Sequence, residues 1–219
     1  IRAMALGEPV TVDVETLQTG TTRVSARTQL PIDAIRTQLP TLPLGFADGS
    51  SAFDIQVDIP SRAAPRDAPT WLRVHSTLQG MAIDLPAPLG KPSEGRRPFT
   101  VRVPLDSDEA PGELVYDAAL AARFSGDGRS IAVNLGDTLP ALPDGAGVVL
   151  RGHIDDLNVA AWHAVLVDLP VASDLALPPV SVALDVRRLQ LPPQTFDDVS
   201  LALRHEDSAQ HHLVDDYLS

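Results

Sequence analysis

The chain has 219 residues, 44% of them hydrophobic, 4% aromatic and 21% charged, with a formal charge of −12 and no cysteine. Such acidity argues against nucleic-acid binding and against a basic helix lying on an anionic membrane, and the lack of cysteine excludes a disulfide framework and thiolate metal sites. No run of eighteen apolar residues exists to form a spanning helix.

Twenty prolines and fourteen glycines favour many short strands joined by turns over long helices. Period-two alternation, the mark of a strand with one dry face, dominates the chain. It begins in VTVDVE, where Val10, Val12 and Val14 alternate with Thr11, Asp13 and Glu15, and resumes in TTRVSAR after a turn at Gly20. Residues 31–36 read as a short helix with Pro31 in its first turn. The pentapeptide RTQLP, at 27–31 and again at 36–40, is treated as coincidence, two copies being too few for a solenoid. In SAFDIQVDIP the dry residues are Phe53, Ile55, Val57 and Ile59.

The next segment changes phase. Dry positions are even at Leu72, Val74 and Leu78, then odd at Met81, Ile83 and Leu85. A one-residue slip would turn every side chain over, so Gly80 is expected to sit at a bulge that restores facing. Pro86, Pro88 and Pro92 then stop strand pairing and stiffen an exit loop.

Alternation resumes in PFTVRVPL through Phe99, Val101, Val103 and Leu105. ELVYDAALAARF reads as one strand with Leu114, Tyr116, Ala118, Leu120, Ala122 and Phe124 on its dry side. Ser125-Gly126-Asp127-Gly128 is a strong hairpin signal. SIAVNLG contributes Ile131, Val133 and Leu135, and VVLRGHID contributes Val148, Leu150 and Ile154. A second helix is expected over 158–166, capped by Asn158, with Val159, Trp162 and Leu166 on the face it lays against the sheet. SVALDV and VSLALRH close the pattern. In all, about ten strands are expected.

The expected fold is mainly β: a long, curved antiparallel sheet forming an open groove, with one or two short capping helices. The chain, starting at Ile1, reads as a single β-rich segment excised from a longer protein. Its expected subdivision places the end of one repeat at 1–45, central strands and a helix at 46–170, and the start of the next repeat at 171–219.

The sequence offers no constellation for chemistry. There is no Gly-rich phosphate loop, no nucleophile elbow and no HExxH. Five of the six histidines (His75, His153, His205, His211, His212) lie on strand faces or near the end of the chain, and His163 falls on the second helix. His205-Glu206-Asp207 with His211-His212 matches no common ligand spacing and reads as a solvated linker. Asp106-Ser107-Asp108-Glu109 could hold Ca²⁺ weakly, but an acidic hairpin loop explains it as well. Asp155-Asp156 favour the start of the second helix, and Asp197-Asp198 open a strand. No catalytic residue, metal site or cofactor is expected.

STLQGMAIDLPAPLGKPSEGRRPFTVRVPL, residues 76–105, resembles a segment of the long AsmA-like proteins of Gram-negative bacteria, of the YhdP type. VVLRGHIDDLNVAAWHAVL, from Val148, and VSVALDVRRLQLPPQTFDDVSLALRH, from Val180, are similar to that family's helix-entry and paired-strand elements. The resemblance is best over residues 71–205, and DLPAPLGKP is its most specific part. It implies no enzyme but a periplasmic bridge, held by an inner-membrane anchor in the rest of the parent chain. The bridge's apolar β-groove would conduct phospholipid acyl chains toward the outer membrane, with a possible outer-membrane partner beyond this segment. The residues expected to line the groove are Leu72, Val74, Met81, Ile83, Val101, Val103, Tyr116, Leu120, Ile131 and Val133. The same alternation also suits a non-conducting scaffold domain of envelope assembly, in which a second layer buries that face.

Overall fold

A computed structural model describes residues 2–5, 8–40, 42–168 and 178–205. In chain order the strands are β1 (Arg2–Ala5), β2 (Glu8–Thr16), β3 (Thr22–Pro31), β4 (Ala47–Ile59), β5 (Trp71–Ser76), β6 (Met81–Ile83), β7 (Phe99–Pro104), β8 (Gly112–Tyr116), β9 (Leu120–Phe124), β10 (Ser130–Leu135), β11 (Gly147–Asn158), β12 (Val180–Leu191) and β13 (Gln194–His205). Helix α1 (Ile32–Gln38) follows β3 directly, and α2 (Val159–Asp168) follows β11 directly. The cap expected at Asn158 is present: its Oδ1 accepts from the Ala161 amide at 2.9 Å.

Twelve strands pair in the order β1-β2-β3-β4-β5-β7-β8-β9-β10-β11-β12-β13, and β6 adds to the far end of β4. The sheet is mainly β and open, with β1 and β13 as its two edges. Its joints are antiparallel except at β11, which runs parallel to both β10 and β12. That departs from the wholly antiparallel sheet expected. The cause lies in the connections. Parallel neighbours need a crossover of about a dozen residues or more. The segment 136–146 returns the chain from the end of β10 to the start of β11, and the segment 159–179, which includes α2, returns it to the start of β12.

Among the described residues thirteen strands replace the ten or so expected, partly because ELVYDAALAARF is two strands and not one. Asp117, at φ 52, turns the chain, so Tyr116 pairs with Leu120 across a hairpin. Ala118 therefore lies in the turn, exposed, and not on the dry face. Asp tolerates the left-handed region better than most residues, yet nothing in the alternation signals the turn.

The phase change near Gly80 is a bulge, as expected. Phe53 pairs with Ser76, and Gly49 pairs with Met81. Four steps along β4 are thus matched by five steps along the opposing chain. Gly80 has φ 91, and a Cβ there would lie 2.5 Å from the Ser50 carbonyl oxygen. The extra residue returns Met81 to the core at 3% exposure.

A second phase change crosses three strands. The ladders of β11, β12 and β13 skip Asp155, Arg187 and Asp198, and Asp198 has φ 53. Beyond the skip, Leu157 and Leu189 pack on the same cluster as Ile154, Leu184 and Val186. Arg187 Nε meets Asp155 Oδ1 at 3.0 Å beside the break.

The Gly80 bulge generates a paired test. Gly128 also has a left-handed φ, of 69, but no atom lies within 4 Å of a Cβ built there. Gly128→Ala should cost about 1–2 kcal/mol, the conformational term alone. Gly80→Ala adds a backbone collision and should cost more than about 3 kcal/mol in equilibrium urea unfolding. Equal costs would contradict the bulge geometry.

Candidate ligand-binding face

Register turns local alternation into a continuous surface. Val12, Ala26, Ile55, Val74, Val101, Leu114, Ala122, Val133, Leu150, Val182 and Leu203 follow one another as cross-strand partners. This rung crosses the eleven strands β2 to β13 of the main sheet without one polar side chain. At a spacing of about 4.8 Å it runs for about 48 Å. A second rung, two residues along each strand, passes through Val14, Val24, Val57, Leu72 and Val103, and resumes at Phe124, Ile131, Val148 and Val180. Gly112 stands between Val103 and Phe124 in this rung, and the Phe124 ring occupies the space a larger side chain would need, 2.2 Å from a built Cβ.

The opposite face is polar over β2 to β7 and is held by cross-strand charges that extend to Glu113 on β8 and Arg123 on β9. Arg23 donates to both carboxylate oxygens of Asp58, at 2.7 and 3.0 Å. Arg27 pairs with Asp54. Glu113 accepts from Arg123 at 3.0 Å and lies 3.8 Å from Arg102. The Arg102 guanidinium sits 3.5 Å from the centre of the Trp71 ring. The Arg23 hydrogen bonds hold the Asp58 carboxyl below the usual carboxylate range, helped by a bond from Gln56. Further along, Val115, Ala121, Ala132 and Val149 make this face less polar.

The apolar face is covered at one end of the strands and not at the other. On β2, Val10 is 6% exposed and Val14 57%; on β4, Phe53 is 5% exposed and Ile59 42%. The cover is built from α1, β6 and the loop 77–98. Leu30, Ile32, Ala47, Phe53, Leu78, Met81 and Tyr116 form one buried cluster beneath it.

DLPAPLGKP supplies the pins. The chain's sole lysine, Lys91, is buried, and its Nζ donates to the carbonyls of Met81 and Pro92. Burial pushes this ammonium below the usual lysine value, and the nearby Arg97 adds to the effect. Ile83 and Lys91 exchange backbone hydrogen bonds at 2.9 and 3.0 Å. Tyr116 Oη donates to the Leu89 carbonyl at 2.9 Å, and Arg97 donates to the Pro88 carbonyl. Helix α2 joins the same end: Trp162 Nε1 donates to the Ala87 carbonyl at 3.2 Å. The expectation that Leu166 lies on the sheet is corrected, since it is 58% exposed; only three residues of that face were available and the loop engages Trp162.

Of the ten residues expected to line a groove, eight share the apolar face of the main sheet: Leu72, Val74, Val101, Val103, Tyr116, Leu120, Ile131 and Val133. Leu72, Val74, Val101, Val103, Leu120, Ile131 and Val133 are half-buried, and Tyr116 is buried under the cover. Met81 and Ile83 belong to the cover itself, on β6. The expected set omits Val12, Ala26, Ile55, Leu114, Ala122, Leu150, Val182 and Leu203, which stand on the same rung as Val101. Their alternation was visible, but their membership in one row depends on strand register.

The polar clusters resolve into structural roles. Asp106 accepts from the Thr70 amide and hydroxyl, both at 2.7 Å, which ties two loops together and lowers its carboxyl below the usual range. Among the described residues no three metal-ligating side chains converge. His75 Nδ1 lies 3.2 Å from Thr100 Oγ1 on the polar face. The cluster around Glu206, Asp207, His211 and His212 lies outside the described residues.

A sequence model of a family described as YhdP protein matches residues 1–216. No curated protein and no solved structure matches the chain.

A carboxylate whose pKa is lowered by folding stabilises above its unfolded value, and that contribution is lost as pH falls through the folded value. Asp58→Asn should therefore lower stability at pH 7 and flatten the loss of stability between about pH 5 and pH 2. Unfolding midpoints measured across that range test this; an unchanged acid slope would contradict the assigned Arg23–Asp58 coupling.

Proposed function

The chain belongs to the YhdP family, and from that premise we propose that it is a segment of a periplasmic bridge whose apolar β-face carries phospholipid acyl chains between the inner and outer membranes. The observation that supports this most directly is the unbroken apolar rung from Val12 to Leu203, half-exposed at Ile55, Val74, Val101 and Val133. A surface like this is an uncommon feature of a protein with no ligand or partner to cover it.

The physical requirement is uniformity. Each buried CH₂ is worth about 0.8 kcal/mol, so two long acyl chains represent about 20 kcal/mol of gross apolar contact. Such a ligand moves readily only where each step of the path offers the same contact as the last. A single polar residue in the row would make a barrier. Small and branched aliphatic side chains repeated from strand to strand meet this requirement; of the aromatics on the face, Phe53, Phe99 and Tyr116 pack in the cluster under the cover, Phe124 lies against Gly112, and Phe196 stands exposed on the edge strand β13. The chains would run across the strands, along the rungs.

Val101 is half-buried, so a carboxylate there can reach water in the empty protein but not beneath an acyl chain. Val101→Asp should leave the fold intact and reduce phospholipid transfer in cells by about tenfold or more. A companion test places photo-crosslinking residues at Val101 and Val103 in the intact protein, with Arg102 on the opposite face as control. Phospholipid adducts are expected at 101 and 103 and not at 102. Wild-type transfer by folded Val101→Asp, with no adducts at any position, would favour a scaffold whose apolar face is covered by protein.

A further inference from the structure

Among the described residues the apolar face over β2 to β9 is walled on one side only. Both helices emerge from strands that run toward the same end of the sheet: β3 leads into α1, and β11 leads into α2. The loop 77–98 with β6 occupies the same end, and Trp162 ties α2 to it through Ala87. Beneath this wall the face is dry, with Leu30, Phe53 and Met81 each at most 5% exposed.

Over β2 to β10 the other end of the strands carries, among the described residues, loops in place of a cover. These are the turn 17–21 and the loops 60–70, 105–111 and 125–129. Exposure of the apolar side chains rises toward them, to 57% at Val14, 42% at Ile59 and 54% at Leu105. A depression lies where floor and loops meet. Val103, Gly112 and Phe124 make its apolar side, and Asp106, Ser107 and Asp108 make its polar side.

Resting on the lipid reading above, we infer that the bound phospholipid has one fixed orientation across the strip. Its acyl chains lie on the two rungs, and its phosphate-bearing headgroup projects over the 60–70, 105–111 and 125–129 loops, away from the wall. The reason is desolvation. A headgroup turned toward α1 and β6 would meet the buried cluster of Leu30, Phe53 and Met81, where a charge has no partner and no water. The cations of the wall are committed to its own groups: Lys91 to the Met81 and Pro92 carbonyls, Arg97 to the Pro88 carbonyl, Arg36 to Asp33 and the Leu44 and Ala47 carbonyls, and Arg96 to the Gln79 side chain. At the loop end the same headgroup stays hydrated, and the exposed guanidinium groups of Arg62, Arg66 and Arg129 stand in these loops to meet its phosphate. The depression at Val103 and Asp108 is then the place where the boundary between tail and headgroup rests.

The test uses photo-crosslinking residues in the intact protein in cells, one position at a time. Asp67 and Asp108 represent the loop end, Gln79 and Glu94 the walled end, and Val101 the floor; the four end positions are exposed. Lipid adducts are treated with mild alkali, which cleaves acyl esters, and weighed by mass spectrometry. An adduct formed through the headgroup keeps a glycerophosphate-containing mass and loses its acyl chains; one formed through a tail keeps only a fatty acid. The expected result is headgroup adducts at 67 and 108, fatty-acid adducts at 101, and no headgroup adducts at 79 or 94. Headgroup adducts at the walled end, or equally at both ends, with fatty-acid adducts at 101, would overturn the orientation while leaving the lipid reading in place. No adduct at 101 would overturn the lipid reading and the orientation with it.

Discussion

In-register pairing across eleven strands keeps an aliphatic side chain on the same side at every step from Val12 to Leu203. Because side chains alternate with a period of two, a slip of one residue would turn the other face's residues into the row, and over β2 to β7 these are all polar: Thr, Asp, Ser, Arg, Gln or His. The charged pairs on the opposite face oppose such a slip. Arg23 with Asp58, Arg27 with Asp54, and Arg123 with Glu113 are directly opposed partners, and any shift separates them. Partly exposed pairs add little to stability; their use here lies in register.

The bulge at Gly80 and the shared break at Asp155, Arg187 and Asp198 belong to the same constraint. At each, a strand twists out of phase, and an irregularity restores apolar residues to the dry side. The first also delivers the chain into β6 and the pinned loop, so the device that keeps Met81 facing inward is also the start of the wall. Lys91 then fixes the loop from beneath. Its ammonium occupies a site that neutral side chains could fill more cheaply, but it ties two backbone carbonyls at once and so specifies one conformation of the cover.

Much of this was legible in the sequence. Alternation identified the dry residues of β2, β4, β7 and β10 directly, the reversal of parity from Leu78 to Met81 located the bulge, and Asn158 marked the start of α2. What was hidden depended on contacts between distant segments. The Tyr116–Leu120 hairpin escaped because Asp117 turns the chain without breaking the alternation. The parallel joints of β11 escaped because alternation carries no direction. Met81 had the pattern of a groove residue, yet pairing with Gly49 places it in the wall. The wall as a whole, and hence the difference between the two ends of the strands, is a property of tertiary placement that periodicity cannot express.

The central claim is that the apolar face between wall and loops is open and takes up acyl chains. Because the chain contains no cysteine, single cysteines at positions 74, 101 and 133 can be compared with one at Thr100 on the polar face and one at Phe53 under the wall. The quantity to measure is the rate of modification by a small water-soluble thiol reagent, with and without phospholipid. The account predicts reaction at 74, 101 and 133 at rates near that of position 100, slow reaction at 53, and protection of the first three alone when phospholipid is added. Rates at 74, 101 and 133 as slow as at 53 without lipid would show the face already closed by protein and would contradict the account.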